Sequence, residues 1–468
     1  MIPYFPKQIS YKAIITYIAS LLTVSIAFFQ YSMGAGYIVL GFVWTASFFL
    51  LVNSESKKLR RAKGHTAVSH IFLIALALRL VWVVASYFYY IQLTGIPFEF
   101  DTADALGYHE EAKWLADSSW HTAWNYYFGP HSFGISDVGY PLYLTCLYKL
   151  FGPDIIIPRI IKAFLSAWTC ILVYRICERT FDKETATMAG IMMALMPNLV
   201  IYCGYHLKET EMLFFEVAFL ERLDYMIRIQ KASVWNFISA GLLALSLFFF
   251  RTVLGAAAVL AFATVTVLSN VPAMKSTGKR VTIICWSLLF LAVVGGGAIQ
   301  TELESIWEDR ETNAIEKREE QTLRGNQWAK YATASVMAPM AFVLPFSTMI
   351  NIDNQYAQQA KHSGNFIRNF MGIFAIIGIY EAFRRKKWRD FAMIGAFVIS
   401  YLGAISLSGF ANSERFLLPG LPCLIMIWAY GISTLREKTY KLLTPWCALV
   451  VLMEVGWAFF KIGSRGLF

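Results

Sequence analysis

Charged residues are scarce in this chain of 468 residues. They make up 15% of it, whereas a soluble globular protein carries roughly 25%. A disordered chain needs abundant charge and few apolar residues, and a collagen-like chain needs glycine at every third position. Only 30 glycines and 14 prolines are present. The composition therefore excludes both of these classes.

Cysteine is also sparse, and its seven residues lack the spacing of a metal site or a disulfide scaffold. No CxxC pair occurs, and most of the cysteines fall within or at the ends of apolar blocks. We interpret them as small hydrophobic residues. A cleavable signal peptide is not evident, because residues 12–30 lack a small-residue cleavage site and a second apolar block follows.

Hydrophobic residues make up 57% of the chain, and the mean hydropathy is +0.51. They come in blocks close to the roughly 20 residues that cross a bilayer. The pattern predicts an all-α polytopic membrane protein with about 13 transmembrane helices in one domain over residues 1–468. The predicted spans are 12–30, 35–52, 70–94, 158–178, 185–203, 207–228, 234–250, 252–270, 281–299, 366–384, 390–408, 416–434 and 442–460.

The net charge of +10 has its source in basic residues that flank the apolar blocks. Lysine and arginine concentrate in alternate loops, as the positive-inside rule requires of a cytoplasmic face. We therefore predict the lipid bilayer, and no nucleic acid, as the partner of these residues. Two long segments, 95–157 and 300–365, then lie on the outer face, and the N-terminus lies inside.

The first outer segment contains acidic residues directly after a predicted span. From Asp101 onward its apolar residues recur with a helical period, which predicts an amphipathic helix on the outer membrane surface. Asp101 would cap this helix and Asp104 would lie in its first turn, where carboxylates are favoured. On composition alone, both are ordinary residues of a helix start. Residues 139–152 are apolar but too short to span, which favours a segment that lies at the interface or re-enters the membrane.

In the second outer segment, the charge-dense stretch from Glu302 to Arg324 predicts a solvated helical face. The apolar residues 336–350 follow it and are interrupted by Pro339 and Pro345. We expect this stretch to line a groove for a lipid tail or an acceptor.

The spacing Asp104-x3-Tyr108-x3-Ala112 resembles the first-loop signature of the GT-C glycosyltransferases, the polytopic relatives of protein O-mannosyltransferases and of the aminoarabinose transferases that modify lipid A. Other segments resemble the family in the same order: 139–143, 150–152, 159–163, 208–211 and 415–419. Many members place adjacent acids in the first loop, whereas two residues separate the aspartates here. Asp104 fits the spacing to Tyr108 better, so it is the preferred catalytic residue and Asp101 the second candidate.

The resemblance implies a GT-C-like bundle that transfers a sugar from a polyprenyl phosphate, such as undecaprenyl phosphate, to an acceptor with inversion. Asp104 would be the general base. A lipid phosphate leaves as a stable anion, so cations rather than a general acid are required beside it. The resemblance also implies that the protein lies in the bacterial inner membrane, with its active site on the periplasmic face. Lipid A or another glycolipid, a polysaccharide and a protein all remain open as acceptors.

Candidates for contacting the donor phosphate are the few cations near short outer loops. Arginine suits bidentate phosphate contacts, and lysine acts as a point charge. The alternative for each is a side chain that extends to lipid headgroups. The candidates are Arg159, Lys208, Arg251 and Arg415.

Glu209, Tyr108 and His109 are candidates for orienting the acceptor. Glu209 and Glu211 cannot share a helix face, and Glu209 fits the family position better. Its alternative reading is an ordinary acid of a helix N-terminus. The outer histidines lack i,i+4 or HxH spacing, so we predict no metal cofactor, with a divalent ion as the minor alternative.

A transporter or flippase of lipid-linked saccharides is an alternative function. Transporters usually carry ionisable residues near the bilayer midplane, whereas the predicted spans hold few, chiefly Arg79 and Glu454. A polysaccharide polymerase or ligase is a second alternative, for which a larger outer loop rich in arginine and histidine is expected. The polar residues gather at the outer ends of the spans, which favours chemistry at the membrane surface.

Overall fold

The computed structural model describes residues 2–100, 103–129, 137–229, 234–268, 340, 342–352, 355–407, 413–463, 465 and 467. Helices make up the regular structure of these residues, apart from one isolated bridge between Ser32 and Ile350. The α-helices are α1 (Lys7–Ala27), α2 (Ala35–Leu59), α3 (Gly64–Thr94), α4 (Ala103–Asp117), α5 (Trp120–Phe128), α6 (Gly139–Phe151), α7 (Ile156–Thr180), α8 (Lys183–Leu195), α9 (Pro197–Ile201), α10 (Glu209–Ile229), α11 (Val234–Phe250), α12 (Thr252–Leu268), α13 (Tyr356–Arg384), α14 (Ala392–Leu407), α15 (Glu414–Leu417), α16 (Leu421–Ser433), α17 (Glu437–Tyr440) and α18 (Leu443–Gly463).

Seven helical segments in the described part of the chain are long and apolar enough to cross a membrane, or eight if the bent pair α8 and α9 is one span. Three shorter apolar helices lie within α11, α12 and α14. The chain is therefore an all-α polytopic membrane protein. Each predicted span coincides with a helix except 281–299, which lies outside the described residues. The count of 13 is not confirmed.

Helix α10 is not among these segments because it carries several charges, and some of these charges are paired inside the bundle. At its C-terminal half, Arg179 of α7 donates to Glu221 at 2.9 Å and to Asp224 at 2.6 Å. Both acids are buried, and the guanidinium is mostly so. Buried charges are tolerated when they are paired, so Glu221 and Asp224 fit among apolar neighbours. The buried Glu216 differs, because neither of its carboxylate oxygens has a hydrogen-bond partner among the described residues.

The charge at Arg79, in the middle of α3, stabilises a break in the neighbouring helix. Pro197 has no N–H to give to the carbonyl of Met193, four residues earlier, and the helix bends there by 50°. The fully buried Arg79 donates to the carbonyl oxygens of Met193 at 3.0 Å and Ala194 at 2.9 Å, and to Ser166 Oγ at 2.7 Å. Arg79 thus satisfies backbone groups for which the bilayer offers no partner.

Replacing Arg79 with methionine is expected to destabilise the fold. Each buried carbonyl left without a donor costs roughly 1–3 kcal/mol, and two of them lose their partner. Thermal unfolding of the purified protein in nanodiscs measures the loss. The matched control is Val81→Met on the exposed face of the same helix, which should leave the midpoint unchanged. Equal midpoints for the two variants would contradict this role of Arg79.

The segment 342–352 runs without regular structure beside α13, and one side chain holds its backbone. The Asn369 amide donates to the carbonyl oxygens of Val343 at 2.6 Å and Pro345 at 2.9 Å, and it accepts from Ser347 N at 3.2 Å. Irregular backbone at membrane depth requires such partners within the protein. The rest of the predicted groove segment, and the charge-dense stretch 302–324, lie outside the described residues, apart from Met340.

The first outer segment forms three short helices, α4, α5 and α6. Helix α4 buries Ala105, Ala112 and Leu115 on one face, so the predicted amphipathic helix is confirmed. Helix α6 has 13 residues and packs against α4, which agrees with its prediction as a segment too short to span. These helices place α4 beside the N-terminal ends of α10 and α15.

Candidate active site

Arg415 joins two of the predicted site residues that are distant in sequence. Its Nη1 contacts Asp104 Oδ2, and its Nε contacts Glu209 Oε1. Asp104 comes from the first turn of α4, Glu209 from the first turn of α10, and Arg415 from α15. We call these three residues the Arg415 cluster. Its geometry gives one guanidinium two carboxylate partners, each on a different helix.

Burial differs among the three side chains of the Arg415 cluster. The Glu209 side chain is fully buried, that of Arg415 is 21% exposed, and that of Asp104 is 53% exposed. Glu209 Oε2 has no hydrogen-bond partner among the described residues. Asp104 is therefore the carboxylate of the cluster that is open to solvent, whereas Glu209 contacts Arg415 from inside the protein.

Arg251 lies on the other side of Glu209. It occupies the single-residue turn between α11 and α12, and its Nη2 is 3.9 Å from Glu209 Oε1. Its guanidinium stacks over the Phe416 ring at 4.5 Å, a cation–π contact. Arg251 Nη1 has no hydrogen-bond partner in the described part of the chain. Since Arg251 is only 6% exposed, this nitrogen is a buried donor.

Lys208 precedes Glu209 and forms an ion pair with Asp137. The lysine side chain is buried, whereas that of Asp137 is 57% exposed. The three cations Lys208, Arg251 and Arg415 therefore adjoin three acids, and the formal charges of this group balance. A phosphate that enters competes with carboxylates for the cations.

Tyr108 and His109 lie one turn after Asp104 on α4. Tyr108 packs edge-on against the Tyr140 ring at 5.2 Å, and burial raises its pKa above the usual range. His109 Nδ1 is 2.8 Å from Tyr148 Oη, which is 3.1 Å from His206 Nε2. Burial lowers the pKa of His109, so its ring is neutral at pH 7. This hydrogen bond of His109 leads towards α6 rather than to the Arg415 cluster.

Two predicted site residues lie elsewhere or cannot be placed. Arg159 is fully buried, donates to the Pro97 carbonyl at 2.8 Å, and lies 3.9 Å from Glu99 Oε2. Its contacts are internal ones, separate from the Arg415 cluster. Desolvation raises the pKa of Glu99, and Arg159 opposes that rise. Asp101, the second candidate base, lies outside the described residues.

A cavity of about 470 Å³ lies beside Arg415. Its wall includes Glu99, Lys361 and Glu414, which sequence reasoning did not single out. Lys361 Nζ is 2.8 Å from Glu414 Oε2. The only sequence signal for Glu414 was its place directly before Arg415. From the predicted groove segment, Pro345, Phe346 and Thr348 line the same cavity.

Metal ligation has no candidate among the described residues, where no group of three or more histidine, cysteine, aspartate or glutamate side chains is placed to hold an ion. That the protein uses no metal cofactor stays a prediction.

Comparison with known proteins gives a result only at the level of structure. No protein-family model matches the sequence, and no curated protein matches it significantly. Among solved structures, the chain is similar to the archaeal oligosaccharyltransferase AglB from Archaeoglobus fulgidus in complex with an inhibitory peptide and a dolichol-phosphate. That match has 13% identity and a TM-score of 0.47, and it covers 87% of this chain and 56% of that one.

Two further structures of an oligosaccharyltransferase from the same organism are similar to the chain, each at 13% identity. The complex with Zn and sulfate has a TM-score of 0.46 and is matched over 86% of this chain and 53% of that one. The apo form has a TM-score of 0.48, with 85% and 54% covered. This chain thus spans a little over half the length of the archaeal oligosaccharyltransferase structures to which its helical bundle is similar.

Proposed function

We propose that the protein is a membrane glycosyltransferase that moves a sugar from a polyprenyl phosphate, such as undecaprenyl phosphate, to an acceptor hydroxyl with inversion. The Arg415 cluster is the observation that carries this proposal. An exposed carboxylate, a guanidinium and a buried carboxylate meet at one end of the bundle, from positions more than 100 residues apart in sequence. The first-loop signature that ends at Ala112 supports the same function.

Asp104 is the general base in this proposal. The acceptor oxygen attacks the anomeric carbon and gives its proton to the Asp104 carboxylate. The bond between that carbon and the phosphate oxygen breaks, and its electron pair leaves with the polyprenyl phosphate. Because one displacement occurs, the anomeric configuration inverts. A positioned base of this kind accelerates the step by roughly 10²–10⁴-fold.

Arg415 and Arg251 stabilise the departing phosphate. Negative charge grows on the phosphate oxygens as the bond breaks, and preorganised donors aimed at such charge lower the barrier. Arg251 has an unpartnered Nη1 in the described structure, and Arg415 is partly exposed. Lys208 adds a buried positive charge next to Glu209. Glu209 keeps Arg415 in position and, in the proposal, orients the acceptor.

The site belongs on the outer face of a bacterial inner membrane in this proposal. The Arg415 cluster lies at the end of the helices that the positive-inside rule assigns to the exterior. The acceptor is then an extracytoplasmic molecule: a glycolipid such as lipid A, a polysaccharide or a protein. Arg79, one of the midplane charges that a transporter would explain, instead stabilises the bend at Pro197.

Replacing Arg251 with alanine is expected to weaken donor use more than replacing it with lysine. A hydrogen bond to a charged group contributes about 1.5–3 kcal/mol, which corresponds to a loss in kcat/KM for the donor of roughly 10- to 100-fold. Lysine keeps the charge and part of this effect. Steady-state kinetics with varied donor measures both variants, with the exposed Arg60→Ala as the control at the opposite end of the bundle. Equal, negligible effects would show that Arg251 does not contact the donor phosphate.

Turnover of a polyprenyl-phosphate sugar by the purified protein tests the function itself. The wild type in nanodiscs is incubated with a panel of undecaprenyl-phosphate sugars and total lipid A, glycan and protein acceptors. We expect release of undecaprenyl phosphate, which mass spectrometry detects. The NMR signal of the anomeric proton should show that the sugar in the product has the opposite anomeric configuration to the sugar in the donor. Absence of lipid-phosphate release with every donor and acceptor, together with transport of the intact donor when the protein is in proteoliposomes, would overturn the proposal.

A further inference from the structure

The cavity beside Arg415 has no part in the chemistry proposed above. Arg415 belongs to its wall, so a molecule within it lies next to the guanidinium that contacts Asp104. The volume of about 470 Å³ falls in the range of roughly 300–1,000 Å³ found for small-ligand pockets. The cavity is thus both close enough to the Arg415 cluster and large enough to hold a reacting group.

Two buried carboxylates in the wall of the cavity lack hydrogen-bond partners on one oxygen each. Glu99 is 2% exposed and Glu414 is 8% exposed. The Oε1 atom of each has no partner among the described residues. A buried acceptor that finds no donor costs roughly 1–3 kcal/mol, so such atoms call for an explanation. Each Oε1 is itself covered by protein, so a ligand hydroxyl in the cavity can donate to these oxygens when the carboxylates rotate towards it.

The remaining wall combines aromatic rings with polar and cationic groups, including the ammonium of Lys461. Tyr202, Tyr205 and Trp457 contribute rings, and Lys361 lies over the first two at 5.3 and 5.8 Å. Gln358 adds an amide. Aromatic walls with few, well-placed polar groups are typical of pockets that bind and orient small molecules. A sugar ring matches this wall, because it offers apolar faces and a rim of hydroxyl groups.

We propose that this cavity binds the acceptor and that the acceptor is a carbohydrate, whose hydroxyls donate to Glu99 and Glu414. The inference rests on the proposed function, since an acceptor exists only for a transferase. The donor phosphate then lies on the opposite side of Arg415, where Arg251 and Lys208 are found. The Arg415 guanidinium then lies between the two substrates, and Asp104 contacts this guanidinium from its exposed side. The inference predicts that protein side chains and unglycosylated lipids are not acceptors.

Filling the cavity tests this inference directly. Neutral disaccharides, namely maltose, lactose and chitobiose, are titrated into the protein in nanodiscs free of sugar detergents, and binding is followed by saturation-transfer NMR. At least one of them should bind the wild type. Ala357→Trp and Ser413→Trp each place a large ring at the wall and should weaken that binding at least tenfold. The matched control is Ile376→Trp, on the 53% exposed face of α13, which should bind as the wild type does.

The outcomes separate the acceptor site from its rivals. Saturating undecaprenyl phosphate should leave the disaccharide signal in place, whereas displacement would assign the cavity to the donor and overturn the inference. No binding by any disaccharide, or equal binding by the wild type and both cavity variants that fold, would overturn it as well. If the wild type binds a disaccharide but never releases undecaprenyl phosphate from a donor, the proposed function fails while the carbohydrate site stands.

Discussion

Replacing Asp104 with asparagine is expected to reduce sugar transfer by roughly 10²–10⁴-fold, the contribution of a positioned general base. Asparagine keeps the shape of the side chain and still accepts a hydrogen bond from Arg415, but it cannot take the proton of the acceptor hydroxyl. The Asp104 side chain is 53% exposed, so the fold should be preserved. Single-turnover assays with preloaded donor measure the chemical step, and thermal unfolding measures the fold.

Two further aspartate variants make the Asp104 result decisive. Asp117→Asn changes an exposed aspartate at the other end of α4 and should transfer sugar at the wild-type rate. Asp101→Asn tests the second candidate base. Full activity in Asp104→Asn would refute its assignment, and full activity there together with an inactive Asp101→Asn would move the base to Asp101.

Sequence reasoning reached the Arg415 cluster because its members leave local signals. Asp104 and Glu209 lie at helix starts directly after predicted outer loops. A carboxylate there is easily recognised because the neighbouring sequence is mostly apolar. Arg415 opens a motif that ends at Pro419. Their mutual contact was not predictable, because it depends on how α4, α10 and α15 pack. Three distant positions become neighbours only through the whole bundle.

The cavity and its acids show where single-sequence reasoning ends. Glu99 and Glu414 become notable because each is buried with an unpartnered oxygen, and burial of a polar residue in a loop has no sequence period. Lys361 lies in a segment that was predicted as a loop, whereas it belongs to the second turn of α13. The role of Arg79 likewise depends on a neighbour, the bend at Pro197, more than 100 residues away.

Replacing Arg415 with methionine is expected to reduce kcat by roughly 10²–10³-fold, as the loss of one preorganised donor does elsewhere. The change should also destabilise the fold by about 3 kcal/mol, because a buried carboxylate loses its ion-pair partner. That carboxylate is Glu209, whose remaining cation in contact, Arg251, is 3.9 Å away. Lysine at position 415 should be intermediate in kcat, since a single ammonium cannot replace a guanidinium that contacts two carboxylates at once.

A double variant separates the catalytic effect of Arg415 from its structural one. In Arg415→Met with Glu209→Gln, no unpaired buried charge remains at position 209, so most of the lost stability should return. The departing phosphate still lacks the Arg415 guanidinium, so kcat should stay well below that of Glu209→Gln alone. Turnover that recovers together with the unfolding midpoint would show that Arg415 acts only by holding Glu209. Recovery of stability alone would support a contact between the Arg415 guanidinium and the departing phosphate. In that mechanism, the arriving sugar donor draws Arg415 away from Asp104. The Asp104 carboxylate is then free to accept the proton.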